Sequence, residues 1–159
     1  MFISDTQFLD VFRGPNPRLT TLTLSHIIGI SNKTLLQVFS TVATTLTDIM
    51  LENIVLMKGA DEEHALDVII PDLTSIFSLC IWGNGYSPLL LAQKPPVPPA
   101  HLLIWAPPEG IFDALIDAMG CGGWASISFH GLSTSAGAAV SRASKIAQEK
   151  GFGFKYSFR

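Results

Sequence analysis

Charge is what this sequence has least of. Only 14% of its 159 residues are Asp, Glu, Lys or Arg, while 48% are apolar, and ordinary soluble domains carry about 25% charged residues. Two readings follow: a compact domain with a large core, or a subunit that buries much of its surface against other chains. Cysteine is nearly absent as well. Cys80 and Cys121 are too few for a disulfide framework and read as buried thiols in a reducing, cytoplasmic or intracellular compartment. No run qualifies as a membrane span: the best uncharged candidate, Leu73–Ala92, is broken by Gly83, Asn84, Gly85 and Pro88. Asp5 and Asp10 interrupt the opening residues, so no signal peptide is expected. No His/Cys cluster has zinc spacing, and neither a metal nor a cofactor is expected. No internal repeat is evident.

The charge that is present is unevenly placed. Residues 1–125 carry 5 basic and 12 acidic side chains, whereas residues 126–159 carry 5 basic and 1 acidic. A basic end on an acidic body suits an anionic ligand or head-to-tail contact between subunits.

Periodicity divides the chain at Pro95–Pro99. Before it, Ser4-Asp5-Thr6-Gln7 resembles a capping box opening a short helix that ends at residues 14–17. Leu19–Gly29 fits a strand or a short helix. Asn32–Lys58 reads as one long helix, because Leu35, Phe39, Val42, Leu46, Ile49, Asn53 and Leu56 recur in sevens. Ser31 or Asn32 would cap it and Gly59 would end it. Asp61-Glu62-Glu63 would open another helix, interrupted by Pro71, and Asp72 would cap a further one over Leu73–Trp82. After the prolines the periods alternate. His101–Ala106, Trp124–His130 and Phe152–Phe158 read as strands, separated by helices from Pro107-Pro108 to Met119 and from Ala136 to Lys150. Such crossovers make strands parallel. The expected fold is therefore α+β: a helical N-terminal half (1–94) around one long central helix, a proline-rich connector (95–100), and a β-α-β-α-β half (101–159).

Two family resemblances rest on particular residues. Ile30-Ser31 before the long helix, and Val68-Ile69-Ile70-Pro71-Asp72-Leu73 before the next, give residues 19–82 an outline that resembles a histone fold. Arg18, Lys33 and Lys58 are isolated, so that resemblance implies the protein-pairing branch of the fold rather than a DNA spool. Thr21–Ser40 also looks like a helix-turn-helix with Gly29 at the turn, although an acidic domain suits DNA poorly. In the second half, Ser128–Ala147, with Gly131 and Ala139-Val140-Ser141-Arg142-Ala143, is similar to Alba-like domains over residues 101–158. That resemblance implies nucleic-acid binding by Arg142 and Lys145, joined by Lys150, Lys155 and Arg159.

The stretch with most chemical content is His130-Gly131-Leu132-Ser133-Thr134-Ser135-Ala136-Gly137. A strand end running into a helix start turns backbone N–H groups outward, which favours an anion at Gly131, Ser133, Thr134, Ser135 and Gly137, with Arg142 nearby. The P-loop ending is missing. Ser133 occupies the nucleophile place of a Gly-x-Ser-x-Gly pattern whose second glycine is Ser135, and His130 would be its base. Plain helix capping by the same hydroxyls accounts for the stretch equally well. Asp113 and Asp117, one helical turn apart, could share a proton or metal or simply face solvent. Phe152, Phe154, Tyr156 and Phe158 could stack bases or pack under the helices.

Three functional expectations follow. The leading one is a non-enzymatic assembly subunit whose partner is itself or another protein. The others are a nucleic-acid-binding module, and an enzyme acting on an anionic substrate at the Gly131–Gly137 loop.

Overall fold

The computed structural model describes residues 2–14, 18–97 and 99–159. Residues 15–17, expected to end the first helix, and Pro98 of the proline segment lie outside the described residues. The first helix, α1 (Asp5–Val11), forms as its capping box implies. The Ser4 hydroxyl accepts from the Gln7 backbone N–H at 3.3 Å, and the Gln7 side chain accepts from the Ser4 N–H at 3.0 Å.

The long helix does not exist. Helix α2 covers Asn32–Val42, and strand β3 covers Asp48–Met57. The heptad stripe holds only as far as Val42. Thr41-Val42-Ala43-Thr44-Thr45-Leu46-Thr47 is rich in β-branched residues, which lose side-chain freedom in a helix. Its threonines also bond the backbone directly. Thr45 Oγ1 donates to Leu19 O at 2.7 Å and Thr47 Oγ1 to Thr20 O at 3.0 Å, which ties this turn to the chain before β1. Beyond it Ile49 and Leu51 are buried while Met50 faces out, a period of two.

Leu19–Gly29 resolves into β1 (Thr21–Ser25) and the start of β2 (Ile28–Ser31). Asp61-Glu62-Glu63 precedes only a short helix, α3 (Ala65–Ile69), and Leu73–Trp82 ends in a strand, β4 (Ser78–Gly83), not a helix. Helix α4 (Leu89–Ala92) leads toward the proline segment. Then follow β5 (His101–Trp105), α5 (Glu109–Met119), β6 (Ser126–Leu132), α6 (Gly137–Lys150) and β7 (Gly153–Phe158).

These strands make one parallel 7-stranded sheet in the order β1-β3-β4-β5-β6-β7, with β2 also paired to β3. The fold is thus α/β, with strands spread along the chain and no central long helix. The sheet runs through the proline segment, since β4 before it pairs with β5 after it. Residues 19–82, which carry the histone-like outline, contain β1, β2, β3 and β4.

Each strand of the β1-β3-β4-β5-β6-β7 series is laid beside the one before. Right-handed crossovers then carry every connecting helix to the same face, so the chain winds as a coil. The turns are equivalent. Leu22, Ile49, Leu79, Leu102, Ile127 and Phe154 stand in one register row, at sequence intervals of about 23–30 residues. Leu24, Leu51, Ile81, Ile104, Phe129 and Tyr156 form the next inward row. One residue beyond the row Ser25-Glu52-Trp82-Trp105-His130 comes a left-handed bend in every coil: His26 (φ 57°), Asn53 (φ 52°), Gly83 (φ 146°), Ala106 (φ 45°) and Gly131 (φ 66°). There is an internal repeat after all, and it is structural as well as sequential. Leu19, Leu22 and Leu24 recur in pattern as Leu46, Ile49 and Leu51, as Ile76, Leu79 and Ile81, and as Trp124, Ile127 and Phe129.

The bends matter because they re-aim the chain. Past Asn53 the alternation slips by one, so Ile54 and Leu56 also point into the core. Asn84 then clips adjacent coils together. Its side chain accepts from Leu56 N at 2.7 Å and donates to Leu56 O at 3.1 Å. Asn32, almost fully buried, does the same for the loop before α3, donating to Glu63 O at 2.7 Å and accepting from Ala65 N at 2.7 Å.

Two substitutions test this framework. A Cβ on Gly83 would sit 2.2 Å from Ile54 O, at a φ that L-residues avoid. Gly83→Ala should therefore cost about 3 kcal/mol or more in urea denaturation, whereas Gly137→Ala, with open space around it, should be neutral or slightly stabilising. Asn32→Ala should cost about 2 kcal/mol, because it leaves a buried N–H and a carbonyl unpaired.

Candidate functional site

A parallel sheet is ordinarily covered by helices on both faces. Here the inward rows are buried from β1 to β6 and the outward rows are open or half-covered: Thr23, Met50, Cys80, Leu103, Ser128 and Lys155 in one, Ser25, Glu52, Trp82, Trp105, His130 and Ser157 in the next. Met50, Trp82 and Trp105 are 45%, 43% and 44% exposed. They line a groove of about 720 Å³ with Glu52, Cys80, Ala106, Gly131, Phe158 and Arg159.

The bend residues shape this groove, since Ala106 and Gly131 turn the chain away at the strand ends. Cross-strand partners hold its floor. The Ser25 hydroxyl donates to Glu52 Oε2 at 2.8 Å, and His130 Nδ1 lies 2.8 Å from Ser157 Oγ with its ring against Trp105, centroids 5.1 Å apart. His101 Nδ1 makes the same kind of pair with Ser126 Oγ at 2.7 Å. Burial raises the pKa of the Cys80 thiol, and the Glu52 carboxylate adds to that shift. Cys80 lies half-buried in the groove wall, and Cys121, expected to be buried, is exposed. The face is bipolar. Asp48 and Glu52 on β3 make one side acidic, and Lys155 and Arg159, on and just after β7, make the other basic.

The residues singled out from sequence do not converge. Ser133 caps a 3₁₀ turn (Thr134–Ala136), accepting from Ser135 N, and its hydroxyl bonds Ser135 Oγ at 2.9 Å. His130 bonds Ser157, on the open face, instead of Ser133. Arg142 does not face the Gly131–Gly137 loop freely: it bonds Asp113 at 3.0 Å and approaches Asp117 at 3.4 Å across to α5. Asp113 and Asp117 thus serve as its counter-ions. Thr134, Ser135 and Gly137 line the start of α6, beside a small hollow that also contains the acidic Glu109 and Asp113. Lys145 lies 4.0 Å from Glu149 on the helix side, and Lys150 ends α6. Only Lys155 and Arg159 of the five basic candidates belong to the sheet end of the molecule. Among the described residues no cluster of His, Cys, Asp and Glu is arranged to hold a metal ion, and no helix is long and apolar enough to cross a membrane.

The sequence reading misses Met50, Glu52 and Trp82 because it places 48–57 and 78–83 in helices, and it misses Trp105, on a stretch that does read as a strand, because alternation alone does not say which face of the sheet stays bare. A signal was present. Glu52, Trp82, Trp105 and His130 each follow directly on the last inward residue of the repeat: Leu51, Ile81, Ile104 and Phe129.

Fold and site together define a class: a short right-handed coil of parallel strands, helices outside, with one bare sheet face. The chain matches no family model, no curated protein and no solved structure.

The capping role of Ser133 is testable. Ser133→Ala should lower stability by about 0.5–1 kcal/mol. The loss should be the same with and without phosphate; a loss of phosphate-dependent stabilisation in the variant would instead mark an anion site.

Proposed function

We propose that this protein is a non-enzymatic recognition scaffold that docks another protein on its open sheet face. The observation that carries the reading is the placement of Met50, Trp82 and Trp105, large apolar side chains left nearly half exposed side by side in a groove. Isolated exposed hydrophobes are ordinary, but a contiguous set of this kind characterises interaction sites, and tryptophan dominates the energetics of such sites. The coil geometry supports it. Stacked strand-and-helix turns with a Leu-x-x-Leu-x-Leu pattern follow the layout of leucine-rich repeats, whose bare sheet presents an extended binding surface. The chemistry supports it too: His101 pairs with Ser126 and His130 with Ser157 across strands, and among the described residues neither histidine makes an ion pair with a carboxylate.

A second contact has its own observation. The outer edge of β7 pairs with no strand among the described residues, and Tyr156 and Phe158 are about half exposed there. Such an edge suits strand addition by a second copy, in keeping with a homo-oligomer.

Affinity capture tests the recognition reading when the variants are chosen by face. A partner held by the wild type and by the helix-side control Lys145→Ala should be reduced at least about ten-fold by the double change Trp82→Ala and Trp105→Ala. Retention of every captured protein by the double variant, with its melting curve unchanged, would contradict the reading.

A further inference from the structure

We propose that the groove accepts an extended segment of a partner protein that presents a lysine or arginine side chain to Glu52 and Trp82, with an acidic residue further along facing Arg159. The inference rests on the recognition reading and adds a ligand chemistry to it. Glu52, Trp82 and Trp105 are direct register neighbours on three adjacent strands. They therefore stand about 4.8 Å apart in sequence of strands. Trp82 is the direct register neighbour of Glu52, whereas Trp105 stands one strand further on with its ring against His130; a cation at Glu52 and Trp82 is attracted both by the carboxylate charge and by the indole quadrupole. The carboxylate is not consumed internally. Ser25 donates to one of its oxygens, and among the described residues no lysine or arginine pairs with it.

The opposite pole is equally well placed. The Arg159 Nε donates to Gly131 O at 2.9 Å, which holds the guanidinium at the β6–β7 end of the groove, and among the described residues it makes no ion pair. From β3 to β7 is about four strand spacings, roughly 19 Å. An extended peptide covers that in about six residues at ~3.3 Å each. The matching segment therefore carries a basic and an acidic residue some six positions apart, with apolar or small residues over the tryptophans between them. A nucleic acid fits poorly, since its phosphates would meet Asp48 and Glu52 on β3.

The chain reports on this groove by itself. It has 3 tryptophans. Two, Trp82 and Trp105, line the groove, whereas Trp124 is buried and donates its indole N–H to Leu90 O at 3.0 Å. Indole N–H signals of the ¹⁵N-labelled full chain would be followed by NMR while adding the peptides Ac-RGGGGGE-NH2 and Ac-EGGGGGR-NH2, each also prepared with citrulline in place of arginine. The expected result is a saturable shift of the Trp82 and Trp105 signals by at least one arginine peptide, with Trp124 unmoved. Citrulline, or Glu52→Gln in the protein, should weaken binding by about five-fold or more. Equal binding of the citrulline peptides, indifference to Glu52→Gln, or no saturable shift by any peptide up to about 20 mM overturns the inference. Equal binding of citrulline would leave the face a docking surface without cation selectivity. Failure of the recognition reading itself shows separately, as capture that survives loss of both tryptophans.

Discussion

The structure depends on a left-handed bend that recurs one residue beyond the row Ser25-Glu52-Trp82-Trp105-His130, on or just past β1, β3, β4, β5 and β6. In His26, Asn53, Gly83, Ala106 and Gly131 the backbone enters a region that costs an L-residue about 1–2 kcal/mol. Only two of the five are glycine. The cost is offset because each bend re-aims the chain past the outward row while the inward rows stay in register from strand to strand. Those rows, from Leu22 and Leu24 to Ile127 and Phe129, are nearly all fully buried. Backbone ladder and apolar column thus reinforce one another, and neither would be satisfied in a single isolated turn.

The bare face follows from this constraint. A coil that adds strands in one direction has its helices on one side, so the other side must face solvent or a partner. The low charge of the sequence then takes on a location. Apolar residues fill the core and also occupy the open face, where Met50, Trp82 and Trp105 cluster. The uneven charge has a location too: acids on β3 and bases at β7 place opposite poles on the two sides of one groove.

Legibility in the sequence tracked local punctuation. Helices α1, α5 and α6 were readable from Ser4-Asp5-Thr6-Gln7, from Pro107-Pro108 with Gly120, and from Gly151, whose φ of 79° closes α6. Strands β5, β6 and β7 were readable from alternation between such signals. What failed was Asn32–Lys58, where no glycine or proline separates α2 from β3 and where Asn53, a polar break in an apolar stripe, is in truth the bend of the second coil. The heptad reading placed Leu35, Phe39, Leu46 and Ile49 in the core correctly but for the wrong geometry, since inward-facing positions of a helix and of a strand coincide over short stretches. The site was illegible for a related reason. Glu52 and Trp82 come together only through strand pairing between segments about 30 residues apart, and the hydroxyl-rich loop at Ser133, conspicuous in sequence, turned out to be a helix start with its neighbouring arginine already paired to Asp113.

Oxidative footprinting by hydroxyl radicals, read residue by residue by mass spectrometry, tests the bare sheet face most directly. The account predicts that Met50, Trp82 and Trp105 oxidise together and early, while Met119, Trp124 and Phe129, buried beneath the sheet and helices, stay protected. Protection of Met50, Trp82 and Trp105 to the level of Met119 in the isolated chain would mean that this face is already covered, and would contradict the account.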